Sequence, residues 1–189
     1  MARGVLFVVV APSGAGKSTL IDRTRRVFPD VRYSVSCTTR PPREGESQGE
    51  HYHFLDRDEF AVMIEEGRFL EWKEVHGNLY GTPAEPIREA LDAGARMILD
   101  IDVEGAKEVL SKVKRSVGIF INVHTLAVLE ERIRSRGADS EESIRTRMIN
   151  AGREIEQAGE FDYIVINHDL DKAVEELADI IRKESERED

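Results

Sequence analysis

The stretch VLFVVVAPSGAGKST, Val5–Thr19, decides the fold. Val5–Val10 is a continuous apolar run, as expected of a central parallel strand covered on both faces. APSGAGKST, Ala11–Thr19, supplies a glycine-rich turn and then the opening of a helix. Gly14 and Gly16 let the backbone curl so that several N–H groups face one concavity, and the helix adds its positive end. That arrangement binds phosphate. Lys17, at the exit of the turn, reaches β/γ-phosphates, and the Ser18 hydroxyl sits on Mg²⁺. The usual motif begins with glycine where this chain has Ala11, so the turn must hold Ala11 in an ordinary β or helical conformation.

A chain of 189 residues makes one compact domain, with room for appended lobes around a real core. Its formal net charge of −10 argues against general nucleic-acid or anionic-membrane binding, which wants the opposite sign. A phosphate-binder this acidic must concentrate its cations locally. One cysteine gives no disulfide framework and suits a reducing, cytoplasmic setting. The N-terminal apolar run is too short for a membrane span, and no targeting segment is expected.

Strand-like and helix-like segments alternate from there. Residues 18–28 read as the helix after the first strand. RMILDI, Arg96–Ile101, reads as a second buried strand, followed by a helix over 103–112. A third strand is expected over 117–123, a helix over 125–135 and a short strand at Tyr163–Ile166. A last helix carries Val174, Leu177, Ala178 and Ile181 on one face. The closing RKESERED is expected to be a frayed, solvated end. Alternation of this kind predicts an α/β fold with a mostly parallel sheet and the phosphate loop at the carboxyl end of its first strand.

Two segments break the alternation. Ser34 to about Ala90, with its turns, short strands and Pro41-Pro42, suggests a small inserted lobe. Arg132–Arg153 carries Arg132, Arg134, Arg136, Arg145, Arg147 and Arg153. Arg136-Gly137 punctuates two helical pieces there, and Asp139 with Glu142 looks like a capping start. A solvated helix face would explain those arginines. In a chain with a phosphate loop, an arginine-bearing flap that closes over phosphoryl oxygens explains them better.

At this point the chain resembles guanylate kinases over nearly its whole length. The resemblance rests on APSGAGKST, SVSCTTRPPREGE (Ser34–Glu46), GEHYHF (Gly49–Phe54), Glu71-Trp72 and GNLYGTP (Gly77–Pro83). It continues through LDIDVEG (Leu99–Gly105), SRGADSEESIRTR (Ser135–Arg147) and INHDL (Ile166–Leu170). It implies a P-loop NTPase-type parallel sheet of five strands with helices on both faces, a GMP-binding lobe and a helical lid. The implied division is a core of 1–33, 91–124 and 155–189, a lobe of about 34–90 and a lid of about 125–154. It implies transfer of the γ-phosphate of ATP to GMP with Mg²⁺, in purine nucleotide metabolism, with homo-oligomerisation left open.

Carried over residue by residue, the phosphate-binding set is Ser13, Gly14, Ala15, Gly16, Lys17, Ser18 and Thr19. Arg40 and Arg43 match the pair that holds the GMP phosphate, with Tyr52 and Tyr80. Guanidinium forks bind such oxygens bidentately, and phenol hydroxyls add neutral donors. Ser36, Glu71 and Thr82 match positions lining the guanine, with Asp102 as a further acidic neighbour. Asp100 resembles the acid near the phosphates and Mg²⁺, acting through water beside Ser18. Lys17, Arg136 and Arg147 match the catalytic cations, the last two on the lid. Asn167 falls where the family holds adenine, largely through loop backbone.

Other residues carry plainer readings. Without the resemblance Glu71 would be an edge-strand carboxylate. Asp100 and Asp102, at period two, point to one side of an extended segment and favour a shared polar site. Cys37 is expected to be a small buried residue, not a nucleophile, and His51 with His53 is too small a set for a metal. Leu79, Glu104 and Val123-His124 depart from a tyrosine, a glutamine and a proline pair common in the family, which leaves local loop geometry open. Two rivals remain: a P-loop kinase with another acceptor, against which Ser36 and Glu71 argue, and a catalytically inert scaffold module, against which Lys17, Ser18, Arg136 and Arg147 argue.

Overall fold

The computed structural model describes residues 4–135 and 140–187. In chain order the elements are β1 (Val5–Val10), α1 (Lys17–Val27), β2 (Arg32–Tyr33), β3 (Cys37–Thr38), β4 (His53–Phe54) and α2 (Arg57–Glu65). β5 (Phe69–Val75), β6 (Asn78–Pro83), α3 (Ala84–Asp92), β7 (Arg96–Asp100) and α4 (Val103–Lys112) follow. The chain ends with β8 (Ser116–Asn122), α5 (Leu126–Ser135), α6 (Glu141–Glu156), β9 (Tyr163–Ile166) and α7 (Leu170–Glu186).

The main sheet has five strands in the order β2-β7-β1-β8-β9, all parallel. β1 sits at its centre with every residue buried, which is why it reads as an unbroken apolar run. Its alternating side chains serve two layers. Val5, Phe7 and Val9 pack with Leu20 and Ile21 of α1 and with Ala173, Leu177 and Ile181 of α7. Leu6, Val8 and Val10 pack with Ala84, Ile87 and Ala90 of α3 and with Val103, Ala106 and Val109 of α4. By its packing α3 therefore goes with the main sheet.

A second sheet, in the order β4-β3-β6-β5, stands off the carboxyl end of the first. Its β5–β6 hairpin turns on His76 and Gly77, both at positive φ (49° and 77°), the backbone a two-residue hairpin loop needs to match strand twist. β5 leans on α4: Lys112 Nζ donates to the Leu70 carbonyl at 2.5 Å, and Gly105 packs against Glu71.

Of the charge run after Ile181, residues 182–186 are not frayed as expected, since α7 continues to Glu186. Glu184 is buried within it and accepts a hydrogen bond from the Tyr163 hydroxyl at 2.5 Å, so a charged sequence hides a packed turn. The capping start expected at Asp139, like the Arg136-Gly137 break, lies outside the described residues; the cap on α6 is Ser140, whose side chain accepts from Ser143 N–H. Among the described residues no helix is long and apolar enough to cross a membrane.

Candidate active site

The loop between β1 and α1 takes the shape its sequence requires. Gly14 and Gly16 have φ of 92° and 86°, and Ala15 N–H donates to the Pro12 carbonyl at 3.0 Å. Among the described residues His76 alone combines positive φ with a side chain, so Ala11 keeps an ordinary backbone. α1 starts after Gly16 with no side-chain cap and no acid in its first turn. By contrast α2, α4, α6 and α7 are capped by Asp56, Asp102, Ser140 and Asp169. The uncapped start leaves N–H groups and a positive helix end for an anion.

Lys17 Nζ donates to the Ile101 carbonyl at 3.0 Å and pairs with Asp100 at the end of β7. Parallel pairing of Val9 with Asp100 is what brings that acid beside the loop. Ser18 and Thr19 are exposed in the first turn of α1. Ser18 and Asp100 line one cavity of about 440 Å³ together with Tyr33, Ser36, Glu46 and Tyr52.

The loop is braced from behind. Asn167, buried after β9, donates from Nδ2 to the Ala15 carbonyl at 2.7 Å. Arg132 of α5 donates to the same carbonyl at 3.3 Å and to the Asn167 carbonyl at 3.1 Å. A Cβ on Gly16 would stand 2.7 Å from Asn167 Nδ2, a second reason for glycine there. The Asn167 side chain thus props the loop, whereas the resemblance pointed largely to its backbone. Arg132 belongs to the site and was not separable, by sequence, from the other arginines around it. Of the departures, Val123 is buried in the cluster that contains Ala15, and the His124 ring stands 5.5 Å from that of His168.

A second cavity, of about 320 Å³, opens next to Lys17 and shares Ser36, Tyr52 and Asp100 with the first. Glu71, Lys73, Tyr80 and Asp102 also line it. Glu71 is buried, and Thr82 donates to its Oε1 at 2.5 Å. Burial pushes the Glu71 carboxyl above its ordinary value, opposed by the Thr82 hydrogen bond and the Lys73 charge. Asp102 accepts from Gly105 N–H at 2.9 Å, capping α4, and pairs with Lys73, a cation the sequence gave no reason to single out.

Arg40 faces the same region from beyond β3. It meets Glu46 through two hydrogen bonds of 2.9 Å, and its guanidinium lies 5.5 Å from the Tyr52 ring centre. Arg40 holds the Glu46 carboxyl down to about 2, with help from Arg43 N–H. Tyr52 and Tyr80 meet edge to face at 6.1 Å, and burial raises the Tyr52 phenol. Arg43 is on the exposed turn, tied to Glu46 through its backbone N–H at 2.7 Å. Arg147 is half-buried on α6, and Arg136 lies outside the described residues.

Cys37 is buried on β3, where burial pushes its thiol up to about 11, far from a nucleophile's range. His51 Nδ1 accepts from Ser47 N–H at 3.1 Å and so holds a turn. Another cavity, of about 530 Å³, lies at the opposite end of the main sheet, around Val5, Arg115, Tyr163 and Arg187, away from the phosphate loop.

The chain is similar to known proteins over nearly its whole length. The guanylate kinase family model matches residues 3–184. The chain is 45% identical to a guanylate kinase of Carboxydothermus hydrogenoformans over 184 residues, covering 97% of this chain and 90% of that protein. It is 46% identical to one of Rubrobacter xylanophilus over 183 residues, covering 97% and 96%. The crystal structure of guanylate kinase from Anaplasma phagocytophilum superposes with a TM-score of 0.80 at 29% identity, covering 98% of this chain and 88% of that one.

Proposed function

The chain belongs to the guanylate kinase family and phosphorylates GMP with ATP, and we propose that the two adjoining cavities at the carboxyl end of the main sheet divide that task between them. The phosphate loop, Ser13–Thr19, binds the ATP phosphates, with Lys17 offsetting the negative charge that develops at the β- and γ-phosphates. The cavity around Glu71 takes GMP. Ser36, Glu71 and Thr82 hold the guanine, with Asp102 beside it, while Arg40, Arg43, Tyr52 and Tyr80 hold its phosphate. Arg136 and Arg147 act from the lid on the ATP phosphates, and Asn167 with Arg132 keeps the loop in shape.

No general base is required. The GMP phosphate oxygen is already anionic and is itself the nucleophile, so the protein aligns it with the γ-phosphorus, excludes water and stabilises the moving charge. Ser18 and Asp100, a hydroxyl and a carboxylate lining one cavity, are hard oxygen donors that fit Mg²⁺. Bound there, Mg²⁺ would neutralise charge on the ATP phosphates. The single buried cysteine and the nucleotide substrates support a cytoplasmic setting.

The observation that carries the acceptor assignment is the buried Glu71 carboxylate, held by Thr82 and facing the Lys17 cavity. Guanine presents two donors, N1–H and the 2-amino group, on one edge, and a carboxylate accepts both. Adenine would set its N1 acceptor against that carboxylate, so a polar site of this kind rejects it by roughly 10⁴-fold. A coupled ADP-release assay across GMP, AMP, UMP, CMP and dTMP tests the reading. Equal use of GMP and AMP would refute it.

A further inference from the structure

Lys73 stands where three parts of the molecule meet. On β5 it is two residues from Glu71 and lies opposite Tyr80 in the antiparallel register, so the three side chains share the cavity face. Its ammonium pairs with Asp102, the cap of α4. Burial pulls the Lys73 ammonium below its ordinary value, opposed by the charges of Glu71, Glu154 of α6 and Glu104 of α4 and reinforced by Lys17. Glu154 is half-buried and feels both Lys17 and Lys73, so α6, which carries Arg147, joins the same cluster. The two acids around the end of β7 are each matched by one lysine: Asp100 by Lys17 of the phosphate loop, and Asp102 by Lys73 of the second sheet.

The charge balance of the cavity shows what this second pair does. Glu71, Asp100 and Asp102 line it, and Lys17 and Lys73 are the cations among its lining residues. A phosphate monoester brings nearly two further negative charges at neutral pH. Without Lys73, an acidic pocket would face an anionic ligand with Asp102 compensated only by the α4 N-terminus that it caps. We propose that Lys73 is a positioning residue for the acceptor nucleotide: by neutralising Asp102 across the seam between β5 and α4, it lets the acidic pocket admit a dianion and holds in place the strand that carries Glu71. This rests on the reading of the cavity as the GMP site. It goes beyond that reading, because Lys73 sits among carboxylates and acts through them.

Steady-state kinetics of wild type, Lys73→Met and Lys73→Arg at low and high ionic strength test it. The Lys73 side chain is 42% exposed, so both variants are expected to fold. Lys73→Met should raise KM for GMP about tenfold at low salt, leaving kcat and KM for ATP within about twofold. Salt screens partly exposed charges, so this ratio should shrink to about threefold at high salt. Lys73→Arg, which keeps the charge, should stay within about twofold of wild type throughout. An unchanged KM for GMP in Lys73→Met would overturn the proposal. So would a defect that ignores salt or is shared by Lys73→Arg, either of which marks a packing role. Wild type run alongside separates the two readings: if it fails to phosphorylate GMP, the acceptor assignment falls, whereas an active wild type with an unresponsive Lys73→Met removes only the role of Lys73.

Discussion

Gly105→Ala separates recognition from stability at a site where the two usually move together. Gly105 is in the first turn of α4, and a Cβ there would stand 3.0 Å from Glu71 Oε2 and 3.2 Å from its Cδ. Glu71 has little room to retreat, because it is buried and Thr82 holds its other oxygen at 2.5 Å. Ordinary contact requires the carboxylate to shift by a few tenths of an ångström, and crowding of that sort costs about 1–3 kcal/mol. Replacing glycine by alanine within a helix returns up to about 1 kcal/mol. Unfolding free energy should therefore drop by no more than about 2 kcal/mol, and denaturant titration should show a fully folded variant. GMP binding has no such offset. A hydrogen bond to a charged partner contributes about 1.5–3 kcal/mol, so misaligning one raises KM for GMP by about 10–100-fold. KM for ATP should hardly change. The assay is coupled ADP release with GMP varied at saturating ATP. A folded Gly105→Ala enzyme whose KM for GMP stays within about twofold of wild type would refute the claim that Glu71 reads the base.

Lys17→Met should fold normally and lose about 10³-fold or more in turnover, since a neutral side chain cannot offset charge at the β/γ-phosphates; single-turnover rates check this. Arg136→Ala and Arg147→Ala should each lower kcat more than GMP affinity, whereas Arg43→Ala should mainly raise KM for GMP, and a lid variant that changed only GMP affinity would undo the division into two phosphate sites. Because burial raises the Glu71 pKa, its carboxylate takes up a proton at a pH where a solvated glutamate is still ionised, so KM for GMP should climb as pH falls through that raised value. Glu71→Gln should remove that slope, leaving only the titration of the GMP phosphate itself. For folding the same shift has the opposite sign: the native state binds this proton more tightly than the unfolded chain, so Glu71 destabilises the fold above its raised pKa and that cost fades as pH falls.

What sequence made legible was local. Val5–Val10, the turn glycines and the helix over 103–112 carry their information within a few neighbouring residues, and the structure keeps them almost to the residue. β2, β3 and β4 are two residues long each and exist only through partners far away in the chain, so no periodicity announces them. The end of α7 misleads for a related reason. Its charges look solvated until Tyr163, many residues upstream, supplies a partner for Glu184. Arg132 and Lys73 follow the same rule. Each belongs to a run of charges that a solvated surface would also produce, and each is distinguished only by what the fold brings against it: the Ala15 and Asn167 carbonyls in one case, Asp102 in the other.

Glu71 was singled out only through resemblance, and its burial adds an independent physical argument for the proposed role. A carboxylate removed from water loses hydration that one neutral hydroxyl does not replace, and its raised pKa records that deficit. Glutamine would occupy almost the same volume beside Thr82 and Gly105 without the charge penalty, so packing alone gives no reason for an acid. A ligand edge with two adjacent donors would give one, because it would complete the hydrogen bonding of the anion. Lys17 of the phosphate loop lines that cavity too. The burial of Glu71 and the cavity it shares with Lys17 therefore both support the proposed acceptor site.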